Sequence, residues 1–325
     1  VRADGSAFFR VPSNCELYFI ALDSAGREIR RMGSVTQVTT GERTSCVGCH
    51  EARQGAAPVG AHAGAYGAAR EPDAIVPPPW GAGPFDYVRH VQPVWDRHCV
   101  GCHSGRSPAA GVDMSGDRTR FFNMSYDHLV RRGMVEHYYI NPGPTGVFPA
   151  MGTGSWVSRL TGLIETNHHG VDLDDDSRRR VWAWIDSNIQ YYGTWDMSRP
   201  HTTGGRDPWF RVAGPGRGPL EPEPWFKELA EVFGRHCASC HDGGRRTWPE
   251  AMNTWVNLSR PENSRLLSAH LAAGAGGLGI ARPRRGALPP VFASTNDPAW
   301  RAMHDAIVAG RDALNAKPRD RKSVV

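Results

Sequence analysis

The sequence CVGCH occupies residues 99–103, and the same pattern recurs as CVGCH at 46–50 and as CASCH at 237–241. The three copies contain six of the seven cysteines in a chain of 325 residues. A random order of the chain's own residues would give roughly 0.006 copies of C-x-x-C-H. The repeat therefore reflects a requirement for this pattern, and it decides how the chain is built.

Each copy has the residues that attach a c-type haem. Two thiols on one helical turn can form thioether bonds to the two vinyl groups of haem, and the adjacent His then binds the iron. Zinc is the alternative, but a site of four thiolates gives no reason for a His after every second Cys. We therefore expect three covalent haems. Their attachment residues are Cys46, Cys49, Cys99, Cys102, Cys237 and Cys240, and their proximal ligands are His50, His103 and His241.

The composition is that of a globular, loop-rich chain. Hydrophobic residues make up 40% of it and charged residues 22%, with 37 Gly and 25 Pro. The formal charge of +5 would be brought closer to neutral by the haem propionates, and no organised basic and aromatic patch indicates a nucleic-acid partner. No apolar run reaches the roughly 18 residues of a transmembrane helix.

The chain begins VRADGSAFF, without an initiator Met or a signal peptide, so we expect a processed mature protein or a piece of a longer one. Covalent haem attachment takes place outside the cytoplasm. The motifs therefore predict a periplasmic or extracellular location.

Local patterns predict an α+β protein in five parts. Residues 1–50 contain β-branched and aromatic runs around the turn sequence DSAG, which predicts a small antiparallel β unit ending in the first motif. Residues 51–84 and 198–222 are rich in Gly and Pro and predict linkers. Residues 85–197 and 223–325 predict mainly α-helical, cytochrome c-like domains that carry the second and third motifs.

Apolar residues at helical spacing predict the main helices. The first is capped by Asp86, kinked at Pro93 and runs into Cys99, with Phe85, Val88, Val91 and Trp95 on one side. Another is expected over 155–166, with Trp156, Leu160, Leu163 and Ile164 on one face. Further helices are expected near 126–132, after the acidic run within 172–176, from about 223 into Cys237, and from about 297. The acidic run favours helix capping over a calcium site.

Four stretches carry a resemblance to a known family: VPSNCELYFIALDSAGREIRRMGSVTQVTTGERTSCVGCHE (11–51), FDYVRHVQPVWDRHCVGCH (85–103), VDMSGDRTRFFNMSYDHLVRRGMV (112–135) and NHHGVDLDDDSRRRVWAWIDSNIQYYGTW (167–195). Over nearly its whole length the chain resembles the C-terminal portion of hydrazine synthase alpha-subunit-related proteins. The resemblance implies a β unit followed by c-type haem domains in a secreted multihaem protein.

One feature of the synthase is missing from the sequence. The reactive haem of the synthase has a Tyr iron ligand shortly after its first C-x-x-C-H, whereas here the first downstream Tyr is Tyr66, sixteen residues after His50. The resemblance therefore implies the fold and the haems, and it does not extend to hydrazine synthesis.

The sixth iron ligand decides whether a haem only passes electrons or can also bind a substrate. For the second haem we expect His168, with His169 as the alternative, because NHHGVDL follows a helix where small cytochromes present this ligand. The family resemblance points to His168 as well. The competing interpretation is a pair of solvated loop histidines.

For the third haem the candidates are His270 and His304, each on an apolar helix face, and Met252. We favour His270, because a terminal helix such as the one bearing His304 normally packs against the haem-bearing helix rather than over the iron.

The first haem has several candidate ligands and no favoured one: His62, His90, His128, His137, another chain or none. An open site is therefore expected there. His98 and His236 precede a motif cysteine and are interpreted as ordinary helix residues. Cys15 is expected to be a buried free thiol, with sulfur ligation as the alternative.

These expectations favour a trihaem electron-transfer protein with mostly bis-His haems and other redox proteins or cytochromes as partners. The alternatives are a haem enzyme with an open first haem acting on a small nitrogen or oxygen species, and a homo-oligomeric subunit of an extracellular cytochrome filament. No nucleophile elbow, P-loop or dinucleotide fingerprint occurs in the sequence.

Overall fold

The computed structural model describes residues 1, 7–32, 35–44, 71–137, 149–194, 223–241, 252–280 and 291–316. The chain forms two compact units. The first unit comprises Val1–Gly83, Val135–His168 and Leu173–Ile189, and the second comprises Pro84–Met134, His169–Asp172 and Gln190–Val325. The predicted linker at 198–222 and most of the one at 51–84 lie outside the described residues.

The described residues form a two-stranded antiparallel sheet followed by helices, which agrees with the predicted α+β class. The strands are β1 (Ile20–Leu22) and β2 (Glu28–Arg31). In chain order the α-helices are α1 Tyr87–His90, α2 Gln92–His98, α3 Met124–Arg131, α4 Arg159–Glu165, α5 Asp175–Asp186, α6 Pro224–His236, α7 Ala238–His241, α8 Met252–Trp255, α9 Arg265–Ser268 and α10 Pro298–Asn315.

The predicted DSAG turn joins β1 to β2. The Asp23 carboxylate accepts hydrogen bonds from the backbone N–H groups of Ala25 and Arg27, at 2.9 and 2.8 Å. Gly26 has φ +85°, a left-handed conformation that costs glycine little. In the described residues, pairing beyond these two strands consists of isolated bridges, such as that between Leu17 and Thr36.

A buried carboxylate ties this hairpin to helix α5 in the first unit. Asp186 is 2% exposed and accepts hydrogen bonds from the Glu28 backbone N–H at 2.9 Å and from the Ser155 backbone N–H at 2.7 Å. The Ser155 hydroxyl donates to the same carboxylate at 2.8 Å. Glu28 and Arg31 form a buried ion pair beside it. Because these buried charged groups are hydrogen-bonded or paired, their burial is tolerated.

Helix α4 begins later than predicted. Residues Gly154–Trp156 form a separate 3-10 turn, and α4 starts only at Arg159. The two are separate because Ser158 has an extended backbone, with φ −69° and ψ 129°, which interrupts the helix between them. Leu163 is also exposed rather than packed inward. Helix α5 starts as predicted from its acidic run, since the Asp174 side chain accepts from the Ser177 N–H.

In the second unit, α1 and α2 form the predicted helix with a break. The Asp86 side chain accepts from the Arg89 N–H at 2.8 Å, and the helix is interrupted at Val91, two residues before Pro93. The predicted inward side was partly wrong, since Val88 is 48% exposed. The side chains that this helix pair buries are Tyr87, Val91, Val94 and Trp95.

The third-motif segment of the second unit has its own apolar core. Helix α10 packs along α6, and the close approach requires Gly310, where an added Cβ would lie 2.8 Å from the Trp225 ring. The core residues of these two helices are Trp225, Phe226, Leu229, Val232, Phe233, Met303, Ala306 and Ile307. The inward face that the sequence predicts for α6 is confirmed.

Within the second unit, the second-motif segment (84–134) and the third-motif segment (223–316) are joined by hydrogen bonds. The Leu258 N–H donates to the Arg118 carbonyl at 2.8 Å, and the Arg118 N–H donates to the Ser259 hydroxyl at 2.9 Å. The Asn257 amide donates to the Asp117 carboxylate at 2.6 Å. The two segments therefore share one compact body.

Candidate haem-binding sites

The second motif lies on the turn that ends α2. The backbone N–H groups of Cys102 and His103 both donate to the Cys99 carbonyl, at 3.2 and 2.9 Å. Both cysteines are free thiols. One helical turn therefore carries both thiols and the His, which is the arrangement that attachment to two vinyl groups requires.

The surroundings of Cys99 favour uncharged sulfur. Burial, together with the neighbouring Cys102, raises the pKa of the Cys99 thiol to about 11. In the described part of the chain, no three His, Cys, Asp or Glu side chains converge as metal ligands.

The imidazole of His103 is oriented by the backbone. Its Nδ1 lies 3.3 Å from the Val112 carbonyl oxygen, so Nδ1 carries the proton and donates it. This tautomer puts the lone pair on Nε2, the nitrogen that binds a metal. A metal-ligating His usually donates its other N–H to such an acceptor, so His103 fits the role of a proximal ligand.

The third motif repeats the first part of this arrangement. Helix α6 ends at His236, and Cys237 is a buried free thiol. The His241 N–H donates to the Cys237 carbonyl at 3.1 Å, which again forms a single turn. His98 and His236 are the last residues of their helices, as predicted.

His241 and His270 lie close together. Their ring centres are 5.8 Å apart and their planes are perpendicular, at 89°. An imidazole nitrogen lies about 2 Å from a bound metal and about 1 Å from its own ring centre, so two axial imidazoles on one iron have ring centres about 6 Å apart. The separation fits an iron held between His241 and His270.

Aromatic rings surround His241. The Trp255 ring centre lies 5.4 Å from it in an edge-on arrangement, and the Phe233 ring centre lies 6.0 Å away. Burial lowers the pKa of His270, and the nearby His241 lowers it further. The surroundings of His270 thus favour its neutral form, which is the form that binds a metal.

The other candidates for the third site have different surroundings. His304 stacks on Trp300 at 5.3 Å, and its Nδ1 lies 3.2 Å from the Asp305 carboxylate. It lies on α10, which packs against α6 as the sequence argument assumed. Met252 is buried in the apolar core. The choice of His270 nevertheless stays a prediction.

His168 and His169 lie in a 3-10 turn, His168–Gly170. His168 is half-buried, whereas His169 is exposed and has φ +50°. The boundary between the two units falls between them, with His168 in the first unit and His103 in the second. Ligation of the second haem by His168 therefore stays a prediction.

The first motif, 46–50, and its candidate ligand His62 lie outside the described residues. Of the other candidates, His90 bonds through Nδ1 to the Asp86 backbone at 2.9 to 3.0 Å. His128 is buried, and both of its ring nitrogens contact backbone groups. His128 therefore has the environment of a core residue.

Cys15 corrects one expectation. It was predicted to be a buried thiol, but it is exposed, and its sulfur lies 3.8 Å from the Pro12 carbonyl oxygen. The hairpin is too small to cover it. Of the described cysteines, Cys237 is the one that is buried.

Sequence reasoning missed two groups at the sites. The Val112 carbonyl orients His103, and Trp255 packs against His241. A backbone carbonyl has no residue-type signal, so the sequence offered no way to find the first. Trp255 could have been noticed as an aromatic residue between the third motif and His270.

Comparison with known proteins relates the N-terminal part of the chain to a protein family. Residues 1–51 match a family model described as the hydrazine synthase alpha subunit middle domain. Neither the curated proteins nor the solved structures provide a match to the chain. The similarity covers the hairpin region and the first motif.

Proposed function

We propose that this protein is a trihaem c-type cytochrome that passes electrons between redox partners outside the cytoplasm. The observation that carries the proposal is the 5.8 Å separation of the His241 and His270 rings next to a C-x-x-C-H turn. An iron bound by two imidazoles has no open position for a substrate, so it supplies reversible one-electron chemistry.

The residues of the chain have distinct tasks in this proposal. The cysteine pairs hold the cofactor covalently, and the following His binds the iron from one side. The Val112 carbonyl fixes the His103 tautomer, and Trp255 and Phe233 pack against His241. In the described residues, no helix is long and apolar enough to cross a membrane.

We further propose that the relationship to hydrazine synthase alpha-subunit-related proteins extends beyond the matched residues 1–51 to the motif segments that follow. The support is the match over residues 1–51, which includes the first C-x-x-C-H, and the recurrence of that motif at 99–103 and 237–241. The reaction of the synthase is not part of the proposal.

The test is to count haems. Pyridine haemochrome and intact mass measurements should give three covalent haems per chain. The double variants Cys99→Ala/Cys102→Ala and Cys237→Ala/Cys240→Ala should each lose one. Cys15→Ala is the matched control and should lose none. Protein that binds zinc and has no Soret absorption would overturn the proposal.

A further inference from the structure

His128 is a buried side chain that haem attachment does not use. It lies on α3 in the second unit and is 2% exposed. Each of its ring nitrogens contacts the backbone of a different motif segment. A buried imidazole that bonds on both sides can hold two pieces of chain at a fixed separation.

The Nδ1 side reaches the surroundings of the second motif. Nδ1 accepts a long hydrogen bond of 3.4 Å from the Asp113 backbone N–H. Asp113 directly follows Val112, whose carbonyl accepts the Nδ1 proton of His103 at 3.3 Å. His128 is therefore one peptide bond away from the group that orients His103.

The Nε2 side reaches the surroundings of the third motif. Nε2 donates to the Thr254 carbonyl at 3.2 Å. The next residue, Trp255, packs its ring against His241 at 5.4 Å. On this side, His128 thus contacts the residue next to Trp255, which packs against His241.

One protonation state satisfies both contacts. A neutral imidazole with its proton on Nε2 accepts at Nδ1 and donates at Nε2. Burial lowers the pKa of His128 to about 3, and the positive charges of Arg132 and Arg265 contribute. The neutral form therefore persists at every pH at which the protein is expected to work.

We propose that His128 is a positioning residue that couples the second and third haem sites, by holding the Val112–Asp113 segment and helix α8 at a fixed separation. The inference rests on the proposed function, because it concerns the surroundings of His103 and His241. It assigns to His128 no contact with an iron.

Two substitutions each remove one of the two hydrogen bonds of the His128 ring and keep the other. The Asn oxygen can occupy the place of Nδ1, so His128→Asn keeps the bond to Asp113 and loses the bond to Thr254. The Gln amide can reach the place of Nε2, so His128→Gln keeps the bond to Thr254 and loses the bond to Asp113. His90→Gln is the control, since His90 bonds only to Asp86 in its own helix cap among the contacts described.

The first measurement is amide hydrogen exchange followed by mass spectrometry. His128→Gln should speed exchange about tenfold in the peptide that covers 108–116, because one buried hydrogen bond is lost there. His128→Asn should do the same for the peptide that covers 252–258. The control should change neither.

The second measurement is a redox titration followed by EPR, with signals assigned by the cysteine-pair variants. His128→Gln should raise the potential of the haem at Cys99, because a weaker Nδ1 bond makes the His103 ring less electron-rich. His128→Asn should lower the potential of the haem at Cys237, because a looser Trp255 admits water that favours the oxidised form.

The outcomes separate the two proposals. One-sided changes that follow the substitution support the coupling role. Equal changes on both sides, or none in either variant, overturn it and leave His128 as core packing. If the wild-type protein holds no haem, the proposed function fails, and the exchange pattern still decides whether His128 joins the two segments.

Discussion

The two motif segments of the second unit begin alike and then diverge. In both, an amphipathic helix ends at the first Cys, and one turn carries the motif. The His103 ring is held by a backbone carbonyl from a polar loop. The His241 ring is surrounded by Trp255, Phe233 and His270.

The difference shows which structural features a repeated motif determines and which it does not. The turn follows from local spacing, so both copies form it. The partners of each His come from residues outside the motif, which differ between the copies. Two sites with the same five-residue pattern can therefore have different electronic surroundings, and the following predictions test this difference.

The largest effect is expected from removing the imidazole of His270, which lies next to His241. His270→Ala should convert one low-spin EPR signal to a high-spin or water-ligated one, because the iron loses its second nitrogen ligand. His304→Ala is the matched control and should leave the spectrum unchanged. The reverse pattern would assign the ligand to His304.

The next effect concerns the packing of α10 on α6. Gly310→Ala should lower the free energy of unfolding by about 2 to 3 kcal/mol, because the new Cβ meets the buried Trp225 ring. Gly234→Ala on α6 has nothing within 4 Å of its Cβ and should stabilise by about 0.5 to 1 kcal/mol. Urea unfolding measures both, and similar values for the two variants would contradict the close approach.

A smaller effect tests the inward face of the second-motif helix. Val91→Ala should cost about 2 kcal/mol, because Val91 is fully buried. Val88→Ala should change the free energy of unfolding by less than about 0.5 kcal/mol, since Val88 is 48% exposed. Chemical denaturation of both variants measures which side of the helix is buried. A larger loss of unfolding free energy in Val88→Ala than in Val91→Ala would show that Val88 faces inward, as the sequence predicts.

The last prediction is a pH dependence at His128, which joins the two segments. Its pKa is about 3 in the folded protein and 6.5 ordinarily, so between these values the unfolded chain binds a proton that the folded chain does not. The free energy of unfolding should therefore fall as the pH drops through this window, by up to about 1.4 kcal/mol per pH unit.

Carboxylates also titrate in the lower part of this window, so the measurement compares the wild-type protein with His128→Gln. The variant should show a shallower fall in the upper part of the window. Arg132 and Arg265 are the charged groups that act on His128, and both stay charged throughout. Equal slopes would mean that His128 has the same pKa in the folded and the unfolded chain.

Much of the local structure could be predicted from the sequence. Asp86 and Asp174 cap their helices, DSAG forms the turn, and the apolar spacing of α6 gives its buried face. These features depend on residues within one or two turns of one another, so their physics is contained in a short window.

The failures have causes outside such windows. Helix α4 starts late because Ser158 is extended before it, where its hydroxyl accepts from the N–H of the distant Glu136. Val88 turned outward because Tyr87 took the inward position one residue earlier. For the sites, the motif turn could be predicted, but the Val112 carbonyl could not, since it acts through backbone rather than through a side chain.

The buried Asp186 has a consequence for the order of folding. Its bond to Glu28 joins residues 158 positions apart in the chain. During synthesis the hairpin emerges long before its anchor, and closing so long a loop is entropically slow. A two-stranded hairpin alone is marginal in water. We therefore expect the N-terminal strands to be among the last elements to gain protection from hydrogen exchange during refolding, although they are made first.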